Sequence, residues 1–229
     1  MHASREDYKR FHERRHRTLI QLLERHLPQK VERCLDIGGG GNIGGLADTI
    51  RERFAGEIHA VDREDDVDRG KAHGILAVEC DIDKAPLPYE DAFFDLIIFA
   101  SVIEHLYNPS FVLSEITRVL KPGGILVLEA PNAVSLGRRL DALLGRNPFR
   151  WFNQYNALEQ KGFMEYCSVF YTAEEAETLL ADRYDLLERR YAMHQPRQNP
   201  LKAFIRETAV AAFPRMSDCF FVVARKRAI

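Results

Sequence analysis

The segment VERCLDIGGGGNIGG at 31–45, followed by HAVDRE at 59–64, decides the fold of this chain. An apolar run ends in an acid, passes into a glycine-rich turn and continues into a helical pattern. A second apolar run then ends in Asp62. Glycines let the backbone approach a ligand closely, and an acid at the tip of the second strand accepts hydrogen bonds from ribose hydroxyls. The pattern predicts an α/β protein with a nucleoside site.

Length and composition limit the classes of protein to which this chain can belong. A chain of 229 residues suits one domain with a modest elaboration, and 46% hydrophobic residues supply a sizeable core. The formal charge of -2 gives no global attraction to nucleic acid or to an anionic membrane. No apolar stretch reaches the roughly 18 residues that span a bilayer, and the polar N-terminus contains no signal-peptide core. We therefore expect a cytoplasmic protein without a nucleic-acid partner.

The cysteines are far apart and form no C-x-x-C pair. Two of them lie inside predicted strands, which indicates reduced thiols in the core and a reducing compartment. The four positions are Cys34, Cys80, Cys167 and Cys219.

Two units are predicted along the chain, an N-terminal helix within 1–30 and a main domain at 31–229. The first helix is expected over 5–27, where a partial apolar stripe ends at Pro28. The many Arg and His residues in its first half indicate either a solvated helical face or a lid or partner surface.

The first half of the main domain alternates strands with helices. The runs LIIFA at 96–100 and ILVLEA at 125–130 lack polar alternation, so both of their faces are expected to be buried, as in a parallel sheet covered by helices. The predicted strands are 33–37, 57–61, 75–79, 94–100 and 124–129. The predicted helices between them are 44–54, a short one at 69–73, and 109–120.

The second half continues this pattern after a stretch of different composition. Thr172 and Glu175 have capping-box spacing at the start of a helix. A strand at 184–192, an extra helix at about 201–213 and a last strand at 218–225 are predicted to follow.

The glycine run can be read in two registers. Residues 39–44 satisfy G-x-G-x-x-G, the dinucleotide fingerprint, which would make the chain a nicotinamide-dependent oxidoreductase. Residues 36–42, DIGGGGN, resemble instead the D-x-G-x-G-x-G first motif of class I S-adenosylmethionine-dependent methyltransferases, with Asn42 at the third glycine. Asn tolerates left-handed backbone angles better than most residues, so the turn can survive this replacement.

The rest of the chain favours the methyltransferase register. Acids follow the second and third predicted strands at Asp62 and Asp81, EHL stands at 104–106 and LKPGG at 120–124. From 31 to 132 the chain resembles the small-molecule branch of that superfamily, of type 11 and type 23-like members. The resemblance implies a Rossmann-like doubly wound sheet of seven strands. This sheet is mostly parallel with an antiparallel last strand, and helices lie on both faces.

The resemblance also implies S-adenosylmethionine as cofactor and assigns roles around the glycine turn. Gly38 and Gly40 allow close approach to the methionine and ribose portion of the cofactor. Asp36 orients the loop or meets the cofactor's ammonium group, and Asn42 lies beside the same portion. Asp62 takes the ribose hydroxyls.

Four further positions are assigned to the cofactor site. Arg63 follows the ribose-binding acid, and Asp81 accepts from the exocyclic amine of adenine while Ile82 packs beside the ring. Ser101, just past the fourth strand, offers backbone or hydroxyl contacts. For Asp62 and Asp81 the alternative role is that of an ordinary acidic residue in a turn.

His105 is the candidate catalytic base, because imidazole titrates in the useful range and follows the fourth strand. The alternative is a structural histidine that bonds the loop, and Glu104 would orient it or cap the loop. Some quinone O-methyltransferases that resemble this chain bind a metal through E-x-x-E-H. Here Ser101 stands at the first position, so no metal is expected.

An insert at about 133–168 combines arginines with aromatic residues and is the candidate acceptor-binding element. The alternative is a solvated helical connector with aromatic anchors. The residues concerned are Arg138, Arg139, Arg146, Arg150, Phe149, Trp151, Phe152 and Tyr155, with Tyr166, Tyr171 and His194 as further pocket candidates.

The predicted activity is methyl transfer to a small-molecule or glycan-like acceptor, at oxygen. Beside the oxidoreductase, a non-catalytic cofactor-binding scaffold is the second alternative. The helix at 201–213 is a dimer surface, a lid or a sheet cover, so a homodimer is one option.

Overall fold

One seven-stranded sheet organises the chain, in the order β3-β2-β1-β4-β5-β7-β6. The computed structural model describes residues 5–27, 29–39, 45–62, 64–149, 169–193 and 200–228. The strands are β1 (Val31–Ile37), β2 (Ala55–Asp62), β3 (Leu76–Glu79), β4 (Phe94–Ala100), β5 (Leu120–Pro131), β6 (Tyr184–Ala192) and β7 (Cys219–Lys226).

Helices cover the sheet. They are α1 (Arg5–His26), α2 (Leu46–Arg53), α3 (Glu64–Ala72), α4 (Pro109–Val119), α5 (Leu136–Leu143), α6 (Ala173–Leu180) and α7 (Pro200–Ala212), with 3-10 turns at Ile103–His105 and Pro214–Met216. Among the residues described, none of these helices is long and apolar enough to cross a membrane.

Strands β1 to β5 pair in parallel, whereas β7 runs antiparallel to both β5 and β6. The predicted fold class, a mostly parallel seven-stranded sheet with an antiparallel last strand, is therefore confirmed. This order also differs from the six-strand dinucleotide order 3-2-1-4-5-6, because β7 is inserted between β5 and β6.

The core lies on both faces of the sheet, as the unbroken apolar strands predicted. Alternate residues of one strand point to opposite faces, so Leu126 and Leu128 join α4 and α6, while Ile125 and Val127 join α1 and α2. Helix α1 belongs to this second layer through Leu19, Leu22 and Leu23, which are almost completely buried.

Two elements begin four or five residues earlier than predicted, and one helix was not predicted. Strand β5 begins at Leu120 rather than 124, because Leu120 already pairs with Phe94 before the register shifts, and Gly123 adopts a φ of 79° in the shifted segment. Helix α3 begins at Glu64 rather than 69, and Val67, which is buried in the core, lies in the part that was not predicted to be helical. Helix α5 lies within the insert, where no separate helix was predicted.

The predicted capping box at the start of α6 is present. The Thr172 hydroxyl accepts from the Glu175 backbone N–H at 3.2 Å, and the Glu175 carboxylate accepts from the Thr172 backbone N–H at 2.7 Å. Two helix N–H groups that would otherwise lack partners are satisfied in this way.

Removal of this cap should destabilise the protein measurably. We expect Thr172→Ala to lower the free energy of unfolding by about 1 kcal/mol, the usual cost of a lost N-cap, in urea denaturation. Thr178→Ala in the same helix is the matched control, since its hydroxyl only bonds the Glu174 carbonyl within the helix. Equal losses in the two variants would contradict a capping role.

Candidate functional site

The candidate site lies at the carboxyl edge of the parallel strands. Asp36 is the next-to-last residue of β1, and Asp62 is the last residue of β2. Ser101 follows β4, and Glu129 is close to the end of β5. Strand β1 pairs with β2 on one side and β4 on the other, so the connections diverge between β1 and β4. Ligands of open α/β sheets bind outside the carboxyl ends at such a switch point.

The turn after β1 has no room for side chains. Gly38 adopts a φ of 76° and donates its backbone N–H to the Val61 carbonyl at 2.9 Å. A Cβ on Gly38 would lie 2.7 Å from Val102 Cγ2, and one on Gly39 would lie 2.0 Å from the Asp36 carboxylate. The backbone therefore rests directly on Asp36. Three predicted cofactor residues, Gly40, Asn42 and Arg63, lie outside the described residues.

Asp36 is buried and electrostatically coupled to its surroundings. Burial raises the pKa of its carboxyl to about 7, the Arg15 guanidinium opposes this rise, and the charge of Asp62 adds to it. The coupling places Asp36, Arg15 and Asp62 near one another. At neutral pH Asp36 can thus act as either a hydrogen-bond donor or an acceptor.

Arg15 in α1 is a site residue that the sequence analysis did not identify. Its guanidinium donates to the Ser101 hydroxyl at 3.1 Å, and that hydroxyl donates to Glu129 Oε2 at 2.7 Å. Ser101 itself adopts a φ of 56°, in the left-handed region, and donates its N–H to the Glu129 carbonyl at 2.9 Å. The spacing of the helix could have indicated this position. Arg15 lies four residues before the buried Leu19 and therefore on the same side of α1.

A narrow cleft separates α1 from the glycine turn. Its walls come from α1, α2, the turn after β1, and strands β4 and β7, and include Arg15, His16, Asp36, Gly38 and Gly39. His16 Nε2 is buried and has no hydrogen-bond partner. Burial, Arg15 and His12 lower the pKa of His16 to about 3, so its ring is neutral at physiological pH.

Glu104 and His105 differ sharply in their environments. Glu104 is 3% exposed, and its Oε2 has no hydrogen-bond partner. Burial raises the pKa of Glu104 to about 8, and the charge of Glu129 contributes in the same direction. The His105 side chain is about one-third exposed, and its Nε2 lies 3.9 Å from Glu104 Oε1, beyond hydrogen-bond distance. The suggested orientation of His105 by Glu104 is thus not a hydrogen bond here.

The predicted adenine-side residues follow β3. The Cys80 N–H donates to the Asp62 carbonyl at 3.1 Å, which holds this loop beside the end of β2. Asp81 accepts from Lys84 Nζ at 2.5 Å in an exposed turn, while Ile82 packs against the core. Asp83, which the sequence analysis did not select, accepts from the Tyr107 and Asn108 N–H groups and links this loop to the one after β4.

Two arginines in the described part of the insert bond the backbone, since Arg139 donates to the Val134 carbonyl at 2.7 Å and Arg138 has a more extensive structural role. Arg138 donates to the Asn132 carbonyl at 2.7 Å, and its guanidinium lies 5.1 Å from the Phe149 ring centroid and 4.4 Å from that of Phe170. The two rings stack at 4.3 Å. This favours the alternative of aromatic anchoring for Arg138. Tyr171 is buried beside Asn132, whereas Arg150, Trp151, Phe152, Tyr155, Tyr166 and His194 lie outside the described residues.

Within the described ranges, no group of three or more His, Cys, Asp and Glu side chains could hold a metal ion. The acids at the carboxyl edge are instead arranged around Arg15 and Ser101.

Comparison with known proteins identifies relatives of the central segment. The family model described as "Methyltransferase domain" matches residues 35–128. A probable S-adenosylmethionine-dependent methyltransferase of Mycolicibacterium smegmatis is 37% identical over 81 residues, covering 35% of this chain and 30% of that protein. A ubiquinone biosynthesis O-methyltransferase of Rhizobium rhizogenes is 23% identical over 182 residues, covering 75% and 67%. The chain thus spans about one third to two thirds of these two relatives.

A solved structure shares the fold over nearly the whole chain. The N-methyltransferase NodS of Bradyrhizobium japonicum, in complex with S-adenosyl-L-homocysteine, superposes with a TM-score of 0.60 at 19% identity. The match covers 94% of this chain and 87% of NodS. At this level of identity the likeness concerns the fold.

The buried acid Glu104 should make stability depend on pH. Its pKa is about 8 in the folded state against an ordinary value of 4.5, so between these values the folded state binds more protons and stability falls as pH rises. We expect Glu104→Gln to remove this fall. The gain in free energy of unfolding over the wild type should grow from pH 5 to 8 and then level off in urea titrations.

The exposed Glu52→Gln in α2 is the matched control for this measurement. A difference between Glu104→Gln and wild type that stays constant across the pH range would contradict the proposed titration of Glu104.

Proposed function

Because the chain belongs, through residues 35–128, to the type 11 branch of the class I S-adenosylmethionine-dependent methyltransferase superfamily, we propose that it transfers a methyl group from S-adenosylmethionine to a small-molecule or glycan-like acceptor, at oxygen. The observation that carries this proposal is the convergence of Asp36, the side-chain-free turn at Gly38 and Asp62 on neighbouring strand ends.

The residues present fit this cofactor. A Cβ at Gly39 would overlap the Asp36 carboxylate, so only glycine fits there, and the turn carries no side chain that would cover its backbone. Asp62 ends β2 in the position from which a carboxylate takes a ribose diol. In our proposal Asp36 meets the ammonium group, and Arg15, which lines the same cleft, faces the negatively charged end of the methionine portion.

The remaining assignments extend along the same edge. Asp81 and Ile82 would hold the adenine, since their loop is tied to the end of β2. Ser101 would act through its backbone and through the hydroxyl that joins Arg15 to Glu129.

The cofactor supplies an electrophilic methyl group and a good leaving group, and the protein supplies positioning and proton transfer. We assign the proton transfer to His105, whose ring is about one-third exposed at the end of the 3-10 turn after β4. A hydroxyl acceptor needs such a base, which supports oxygen as the methylated atom. The similar protein of Rhizobium rhizogenes is an O-methyltransferase, which supports this choice.

The alternatives predict different ligands. A nicotinamide-dependent oxidoreductase would bind NADH, and a non-catalytic scaffold would bind S-adenosylhomocysteine without turnover. Neither is favoured by the order of the sheet or by the family match. Calorimetry with S-adenosylhomocysteine and with NADH tests the proposal, and binding of NADH alone would overturn it. A cytoplasmic location and a homodimer remain parts of the proposal that cell fractionation and ultracentrifugation would test.

Loss of the ribose acid should weaken cofactor binding. We expect Asp62→Ala to raise the dissociation constant for S-adenosylhomocysteine by about tenfold to a hundredfold, because a charge-assisted pair of hydrogen bonds is lost. Asp185→Ala, at the start of β6, is the control measured in the same calorimetric titration. Unchanged affinity in Asp62→Ala would mean that the ribose site lies elsewhere.

His105 should matter for turnover more than for cofactor binding. We expect His105→Ala to lower the rate of labelled-methyl transfer by about a hundredfold, with the affinity for S-adenosylhomocysteine nearly unchanged. The acceptor would come from a screen of phenols and sugars with labelled cofactor. Full activity of the variant would leave His105 with a structural role.

A further inference from the structure

Helix α5 presents its apolar side to solvent. Its leucines recur at spacings typical of a core-facing stripe, yet Leu140, Leu143 and Leu144 are 49%, 82% and 62% exposed. The buried residue of the helix is the acid Asp141. The helix is thus inverted relative to an ordinary amphipathic helix of a globular protein.

Other large apolar side chains are exposed at the same edge of the sheet. Helix α5 follows the end of β5, Tyr107 lies in the loop beyond β4, and α7 leads into β7, whose first residue pairs with the last of β5. An ion pair between Arg206 and Asp218 holds α7 there. We call the following set the apolar rim: Tyr107, Leu140, Leu143, Leu144, Phe204 and Phe213.

Cations accompany the leucines on α5. Arg139 and Arg146 are exposed on either side of them, while the Asp141 carboxyl is turned inward. The exposed acid closest in sequence to the phenylalanines of the rim is Glu207 on α7. The α5 part of the rim therefore combines apolar side chains with positive charge, although the whole chain carries a formal charge of -2. Net charge does not reveal a local arrangement of this kind.

We propose that the apolar rim is a peripheral docking surface for an anionic lipid bilayer. Exposed leucines and aromatic side chains flanked by arginines suit a helix that lies in the interface, with apolar groups among the acyl chains and guanidinium groups among the phosphates. A two-fold contact between two copies is less suitable, because it would gather the positive charges of Arg139 and Arg146 from both α5 helices in one interface.

The orientation of the rim has a direct consequence. Its residues belong to segments that connect with the strands at the carboxyl edge on which Asp36, Ser101 and Glu129 lie, so docking would turn this edge towards the lipid. The site would then open towards molecules held at the bilayer surface.

Vesicle co-sedimentation tests this inference on the full-length chain. Vesicles of phosphatidylcholine alone are compared with vesicles containing equal amounts of phosphatidylcholine and phosphatidylglycerol. We expect the protein to sediment with the anionic vesicles and to bind them less as salt is raised. Failure of the wild type to bind anionic vesicles at low salt would overturn the proposal.

A pair of matched triple variants assigns the binding to the rim. We expect Leu140→Ser, Leu143→Ser and Leu144→Ser together to weaken vesicle binding by about tenfold or more, because their apolar contact with the lipid is lost. The control combines Leu76→Ser, Leu179→Ser and Leu186→Ser, which are also exposed but belong to β3, α6 and β6. Equal weakening in both triples would overturn the assignment.

Two further measurements complete the test. We expect Arg139→Gln with Arg146→Gln to reduce binding to anionic vesicles and to remove most of its salt dependence. Ultracentrifugation without lipid tests the alternative that a second copy of this chain binds the rim. A wild-type dimer that becomes monomeric in the α5 triple variant would show that the rim joins two copies, and would overturn lipid docking. None of these measurements requires a methyl acceptor, so their failure leaves the proposed activity intact.

Discussion

A single guanidinium influences three buried carboxyl groups at the carboxyl edge of the sheet. The charge of Arg15 lowers the pKa values of Asp36, Glu104 and Glu129, while burial raises all three. Carboxylates taken out of water are costly unless they are paired or protonated. The edge therefore combines the positive charge of Arg15 with carboxyl groups whose pKa values are raised, and this balance depends on α1 staying in place.

Helix α1 is held by apolar packing and contributes polar chemistry from the same side. Leu19, Leu22 and Leu23 anchor its C-terminal half in the core, and Arg15 projects one turn earlier onto Ser101. Ser101 in turn bonds Glu129, so a contact made by the first helix reaches the end of the fifth strand. Arg15 is therefore not part of a wholly solvated face of α1. Arg15 and Glu129 both lie outside residues 35–128, and the contact of Arg15 with Ser101 couples α1 to the matched domain.

Much of the fold follows from local signals. Unbroken apolar runs predicted buried parallel strands, β4 and β6 were placed with the bounds observed, and Thr172 with Glu175 predicted the start of α6. The acids at strand ends were also predictable, because parallel strands bring their carboxyl ends to one edge. The burial of Glu104 was not predictable, since its environment comes from α1, β5 and α5, which are distant in sequence. For α5 the apolar period was readable, but only tertiary packing decides that its acid points inward.

The position of β7 between β5 and β6 constrains how the chain can fold. Strands β1 to β5 are complete by Pro131, but β5 remains an unpaired edge until Cys219–Lys226 is synthesised and inserted. An apolar edge strand of this kind is a template for wrong pairing between chains, and pairing across such a separation is slow. About ninety residues are synthesised between the end of β5 and the end of β7, which takes on the order of ten seconds at ribosomal speeds. The edge of β5 must be shielded from wrong pairing during this time.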